Sequence, residues 1–414
     1  MPTTSSTTTS DSSISRRQPS SDESSPFVHD HGRRFLRDAA TYPLPVDLAE
    51  LHRQSLRTAM LIEVFGAPFS AKLRRPPEQI LELVCGSATW SLRCDQYLKK
   101  RGYSNVSFVG LDIAPLAPDL KRHGVQWRFV QHDLRKVPLP FGEEFDLIMV
   151  SDATMVTPSA KDVQSNPLVG LKKYLRPGGC IEVIETDYVF RCLQPEPSQP
   201  PGTASSDVIQ ARKTATYTVG PATPFSKSQN QLISDYNRWA EKALQARDFT
   251  VTPCAAMSFG LSAEQFGYEE VRSRRVAIPF SDLRWENDVE EASNISANDN
   301  NTTVNDGRRI GKPKGLTRSS MPDKIYSPLN SNQAAIRQTA LNVAVGLIES
   351  LEHLLIKESG KKKDEWDRWW AALMLSLFEK NDLINGECIE AGVWWARKEQ
   401  EDEGTDTASE SSQE

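Results

Sequence analysis

Between residues 79 and 187 the apolar positions alternate between two patterns. Short, nearly unbroken apolar runs at 79–84, 106–113, 125–133, 145–152 and 180–187 predict strands. Little alternation within a run means that both faces of the sheet are covered. Between them, 89–102 and 166–175 carry apolar residues at helical spacing and predict helices, with "RPGG" at 176–179 as a turn. This alternation predicts an α/β fold with a doubly wound, mostly parallel sheet.

Upstream, "YPLP" resists helix, and Asp47 is then a suitable N-cap. Leu48, Leu51, Leu56, Met60 and Val64 predict the buried stripe of the helix that follows. Downstream, 232–249 predicts a helix and 268–280 an antiparallel strand near an edge. Ile336, Ala340, Val343, Leu347, Leu351 and Leu354 mark another helix, and Trp366, Trp370, Leu373 and Leu377 a further one capped by Asp364. Residues 387–399 predict a last strand, forming an antiparallel terminal hairpin with the strand that ends near Phe280.

The polar segments set the domain map. Residues 1–34 read as a disordered Ser/Thr-rich tail, 286–333 as a disordered insert and 400–414 as an acidic disordered tail. The insert interrupts one domain, whose parts are 35–285 and 334–399. A long surface insertion is tolerable because loop-closure cost grows only logarithmically with length.

Composition narrows the classes. The 414 residues are 38% apolar and 25% charged with a net charge of −6, which gives no strong nucleic-acid signal. The six cysteines (Cys85, Cys94, Cys180, Cys192, Cys254, Cys388) form no C-x-x-C pair, so no metal site is expected. They read as reduced thiols of an intracellular protein, cytoplasmic or nuclear. No apolar run suggests a membrane span. The N-terminus has no hydrophobic leader, and Asp11, Asp22 and Glu23 count against a mitochondrial transit peptide. His29 and His31 read as solvated.

Candidate chemistry centres on the strand–turn–helix at 80–98. Backbone N–H groups at a helix N-terminus attract a negatively charged group. "VCGSAT" lacks the G-x-G-x-x-G spacing that a dinucleotide needs. S-adenosylmethionine has no phosphate, and its amino group and ribose diol call for acceptors. Glu82, Asp112 and Asp133 stand at or near strand ends, where such acceptors belong.

With "YPLPVD" (42–47), "ELVCGSATW" (82–90), "LDIAP" (111–115), "RPGG" (176–179) and "IEVIETD" (181–187) in order, the chain resembles the class I S-adenosylmethionine-dependent methyltransferases. It is most similar to the fungal group that includes nuclear regulators of secondary metabolism. The resemblance spans about residues 42–193. It implies a Rossmann-like fold, S-adenosylmethionine as cofactor, and methyl transfer to a small-molecule or protein acceptor. It places Glu82, Gly86 and Ser87 at the methionine end, Asp112 and Ile113 at the ribose and adenine, and Asp133 at the adenine edge. Val84 and Ala88 replace glycines of the family turn. The alternative is therefore a catalytically weak or inactive regulatory or scaffold protein of the same fold, with protein partners engaged through the disordered segments.

No catalytic residue is assigned. Asp152 stands where an acceptor would be faced, though a loop cap fits equally well. His132 reads as a rim residue. Asp187 and Tyr188 either line a substrate mouth or close the strand. Trp366, Trp369, Trp370, Trp394 and Trp395 read as core, and "GRRIGKPKGLTR" as a solvated linker. Neither an amine-methylation motif nor a metal constellation is visible, so the acceptor atom is open.

Overall fold

The computed structural model describes residues 25–37, 42–136, 138–156, 168–195, 205–260, 268–286, 329–380 and 382–399. The first elements are an antiparallel hairpin, β1 (Phe27–Asp30) and β2 (Arg33–Leu36), and helix α1 (Leu48–Phe65). Then come β3 (Gln79–Leu83), α2 (Thr89–Lys99), β4 (Ser107–Asp112), β5 (Gln126–Gln131), β6 (Phe145–Ser151), the short α3 (Ala153–Val156) and β7 (Leu175–Thr186). The next group is β8 (Arg191–Leu193), α4 (Ser206–Lys213), β9 (Tyr217–Thr218), β10 (Phe225–Lys227), α5 (Gln231–Gln245), α6 (Pro253–Gly260) and β11 (Glu269–Pro279). The chain closes with α7 (Ser331–Ser359), α8 (Lys363–Phe378) and β12 (Glu387–Arg397).

These strands build an α/β, Rossmann-like arrangement around one mixed sheet of ten strands. The pairs β3–β4, β4–β5, β3–β6 and β6–β7 are parallel. β12 lies antiparallel between β7 and β11, and β9 covers the other side of β11. Successive strand residues point to opposite faces. Ile80, Phe108, Leu147 and Met149 meet the cluster formed with α1, α2, α5, α7 and α8. Leu81, Leu83, Leu111, Ile148 and Val150 meet a second cluster with Tyr174 and Met257. Both faces are buried, which is why the runs read as unbroken.

Several sequence expectations are corrected. In α1 the expected stripe fails at its start, because Leu48 is 81% exposed. The buried positions are Glu50, Arg53 and Arg57 followed by Met60, Leu61, Val64 and Phe65. Arg53 forks onto Glu50 at 2.6 and 2.7 Å, and Ser350 of α7 donates to Glu50 at 2.7 Å. A Cβ at Gly346 would stand 3.0 Å from the Arg53 stem, so glycine leaves room for this charged face to dock. Asp47 does cap α1, accepting from Glu50 N–H at 3.1 Å.

The hairpin at 27–36 begins inside the stretch read as tail and ends beyond it, and α7 begins inside the stretch read as insert. Residues 1–24 of the tail, 287–328 of the insert and 400–414 lie outside the described residues. The region 166–175 contributes a 3₁₀ helix, Val169–Tyr174, within the described residues. "RPGG" bulges inside β7, where pairing with β6 jumps from Leu175 to Cys180. The N-cap of α8 is Lys362, whose N–H donates to Glu365 at 2.9 Å, so Asp364 falls in the first turn instead of capping it.

By length and composition α7 would cross a membrane, with a mean hydropathy of 1.4 over its most apolar window, of which 61% is buried inside the protein. It packs against α1 and α5 as a core helix. Its apolar residues are interleaved with Asn, Ser and Glu, so they read as an amphipathic pattern instead of a span. The six cysteines are free and buried.

Candidate functional site

A cleft opens at the C-terminal ends of β3, β4, β5 and β6. In open α/β sheets, ligands bind at such strand ends. Glu82, Ser87, Asp112, Ile113 and Asp133 all line it. Gly86 is one step behind, with its N–H donated to Asp112 Oδ2 at 2.8 Å.

The turn between β3 and α2 has the left-handed backbone that glycine adopts most readily. Val84, Gly86 and Ala88 all have left-handed dihedrals, with φ of 55°, 47° and 54°. Such a conformation costs an L-residue on the order of 1–2 kcal/mol, and a β-branched residue is a genuine outlier there. Strain of this kind persists only where the surroundings over-determine it. Here Ala88 is fully buried, and Val84 packs against the second core cluster.

The over-determination comes from polar ties. Ala88 is the N-cap of α2 and has no side chain to cap with. Glu82 does that work from β3, accepting from Ser91 N–H at 3.2 Å and from Ser91 Oγ at 2.5 Å. Asp112 also accepts from Ala114 N–H at 3.4 Å, so its carboxylate links the turn to the end of β4. The hydroxyls of Ser55, Ser87 and Thr89 lie within 3.0 Å of one another and tie α1 to the turn.

Burial controls the electrostatics. Glu82 is 3% exposed, and burial pushes its carboxyl up to about 8, against the weaker opposing effect of the Ser91 bonds. Burial also raises Asp112, against the pull of the Gly86 and Ala114 N–H groups. Neither acid has a cationic partner among the described residues. Asp133 differs. Burial pushes it up, but a bidentate pair with Arg135, 2.9 Å at both oxygens, holds it below the usual carboxylate range.

The other end of the cleft is ionic. Asp152 has φ of 53° and receives the Arg57 fork, with Nη2 at 2.6 Å from Oδ2. Arg57, Tyr42 and Gln54 line the cleft but were not singled out from sequence. The early charged positions of α1 were the available signal, since charges recurring at 50, 53 and 57 share one helical face. His132 is on the rim, with Nε2 at 2.8 Å from the Lys136 carbonyl. Asp187 is fully buried away from the cleft and binds Arg191 and Cys254 N–H, so it closes the strand. Trp366 and Trp369 pack against Trp239 in the core, the first tilted and the second edge-on, and Trp394 is buried within the sheet.

No protein-family model matches the sequence, and no curated protein matches it. Many solved structures are similar in part. An O-methyltransferase family protein from Burkholderia thailandensis aligns at 14% identity over 34% of this chain and 39% of its own, with a TM-score of 0.24. The N-methyltransferase NodS from Bradyrhizobium japonicum, in complex with S-adenosylhomocysteine, aligns at 17% identity over 34% of this chain and 64% of its own, with a TM-score of 0.23. The plantazolicin methyltransferase BpumL, in complex with a desmethylated plantazolicin analogue and S-adenosylhomocysteine, aligns at 10% identity over 85% and 88%, with a TM-score of 0.35. The chain thus spans under two thirds of the first two proteins.

Proposed function

We propose that the chain is a class I S-adenosylmethionine-dependent methyltransferase of the fungal regulator-like group, acting on a small-molecule or protein acceptor. The observation that carries this is the pair of buried acids, Glu82 and Asp112, at a left-handed turn, with no cationic partner among the described residues. Unpaired buried carboxylates favour a ligand that brings positive charge and hydrogen-bond donors. The cofactor has both, an ammonium and a ribose diol, and when bound it supplies an electrophilic methyl on a sulfonium. Glu82 and Ser87 would flank its methionine end, Asp112 its ribose, and Ile113 with Asp133 its adenine. Arg57 and Asp152 would bound the acceptor's end. Methyl transfer needs chiefly a positioned acceptor, and no general base is assigned.

A second reading is favoured by Val84, whose side chain lines the cleft from a strained backbone. There the chain is a regulatory or scaffold protein of the same fold with weak or absent turnover. Buried free thiols support a reducing location, cytoplasm or nucleus, under either reading. Calorimetric titration with S-adenosylmethionine and S-adenosylhomocysteine tests the site. Binding of both, with NAD inert, is the expected result. No binding of either removes the enzyme reading, and binding without methyl release over a broad acceptor panel favours the regulator.

A further inference from the structure

We infer that Gln54 of α1 is a cofactor-binding residue, whose side-chain oxygen accepts from the ammonium at the cofactor's methionine end. This rests on the methyltransferase reading above. Gln54 is half-buried and lines the cleft, one residue before Ser55, whose hydroxyl lies 3.0 Å from that of Ser87. Its Nε2 donates to Glu50 Oε1 at 2.9 Å. That contact fixes which end of the amide faces the turn. Glu50 is fully buried and pairs with Arg53 through both of its oxygens, at 2.6 and 2.7 Å, while Ser350 of α7 donates to its Oε2 at 2.7 Å. A carboxylate in an ion pair only accepts, so it takes the amide nitrogen and leaves the amide oxygen for the cleft. That oxygen stands over Gly86, where a Cβ would be 3.0 Å from it. It accepts no hydrogen bond among the described residues.

An acceptor held in place over the turn calls for a donor from the ligand, because donors of the turn are committed. The Gly86 N–H goes to Asp112 at 2.8 Å and the Ser91 N–H to Glu82 at 3.2 Å. At the methionine end of the cofactor the ammonium alone donates, since the carboxylate and the sulfur bring only lone pairs. Its charge also suits Glu82 and Asp112, which have no cationic partner among the described residues. An amide fits position 54 better than a third acid. A carboxylate there would face Glu50 across one turn of α1, where like charges at i and i+4 repel. Glu50 is thus a positioning residue, which acts through the orientation of the Gln54 amide. Gly86 has a second use, because any side chain there would crowd the amide oxygen.

The test titrates the full chain by calorimetry with three ligands: S-adenosylhomocysteine, its desamino analogue, and 5′-methylthioadenosine, which lacks the amino-acid end altogether. Two variants are compared with the wild type. Gln54→Met keeps the length of the side chain and removes its acceptor. Gln54→Lys also removes the acceptor but keeps a donor for Glu50 in the favoured i, i+4 order, so it guards against a loss of folding in the first. The wild type is expected to bind S-adenosylhomocysteine at least about tenfold more tightly than the desamino analogue. In both variants that ratio should fall at least about fivefold, with the affinity for 5′-methylthioadenosine unchanged. A ratio within about twofold of the wild type's in either folded variant overturns the inference. So does an equal loss for all three ligands, which would make Gln54 a prop for the turn. If the wild type binds none of the three, the methyltransferase reading falls and this inference with it. If it binds S-adenosylhomocysteine and the ratio does not move, only this inference falls.

Discussion

The Asp112 carboxylate accepts a hydrogen bond from the Gly86 N–H at 2.8 Å and so fastens the end of β4 to the turn after β3. The residue proposed to hold a ribose therefore also holds the turn. Asp112→Ala should lose cofactor affinity and about 1–3 kcal/mol of stability together. Asp112→Asn keeps an oxygen for the Gly86 N–H. It should retain most of the stability and still lose affinity, because its charge is gone. Urea unfolding and titration calorimetry on both variants check this. Equal affinity of Asp112→Asn and wild type would take the ribose role away.

Left-handed backbone at Val84 and Ala88 sets the expected sign of the glycine substitutions. Glycine relieves about 1–2 kcal/mol of backbone strain at each site and costs about 0.5–1 kcal/mol through the more flexible unfolded chain. Val84→Gly and Ala88→Gly should therefore leave the melting temperature unchanged or raise it slightly. Val84→Gly should also tighten S-adenosylmethionine, since the side chain at 84 lines the cleft. Scanning calorimetry and titration on each single variant separate the two effects. A clear fall in melting temperature would mean that the turn relaxes away from these dihedrals.

Glu82 gives a pH signature. Its folded value of about 8 is above the ordinary 4.5 of an unfolded glutamate, so across that window the native state holds a proton the unfolded state has lost. The contribution to stability is complete below the unfolded value, declines as pH rises, and is gone above about 8. A cationic ligand favours the ionised form, so S-adenosylmethionine affinity should rise through the same window. Urea titrations of ligand-free wild type and Glu82→Gln, compared from pH 5 to 9, isolate this group from Glu182, which burial also raises, to about 7. Parallel curves for the two proteins would refute the assignment.

Arg57 and Asp152 form a buried pair, and removing one partner strands the other's charge. Asp152→Ala should cost about 3–5 kcal/mol in urea unfolding. Asp152→Asn tolerates the left-handed backbone and recovers part of one hydrogen bond, so it should cost less. A loss below about 1 kcal/mol for Asp152→Ala would place the pair in the exposed class.

The strands were legible because their runs are apolar on both faces and their ends carry acids, and Glu82, Ser87, Asp112, Ile113 and Asp133 do line one cleft. The backbone of the turn was not legible. Valine and alanine normally signal ordinary dihedrals, and what forces them otherwise is a set of bonds from Glu82 and Asp112 that only the folded sheet assembles. Helix α1 misled for a related reason. Its leucines suggested the buried stripe, but its charges find partners on α7 and beyond β6, and paired charges can displace apolar residues from an interface. Arg57 went unweighted because the partners of a charged side chain are a property of three-dimensional surroundings.

The placement of β12 has a consequence for how the protein is made. It lies between β7 and β11, and across β12 and β8 Arg191 meets Glu390 over 199 residues of chain. A ribosome delivers β7 long before the strand that pairs with its free edge. Until then a row of backbone donors and acceptors on a hydrophobic strand stands open to any passing extended segment. Such long-range pairing is slow to form. Efficient production should therefore depend on whatever shields that edge during synthesis, and yield in cells should respond to chaperone supply more sharply than the stability of the finished fold would suggest.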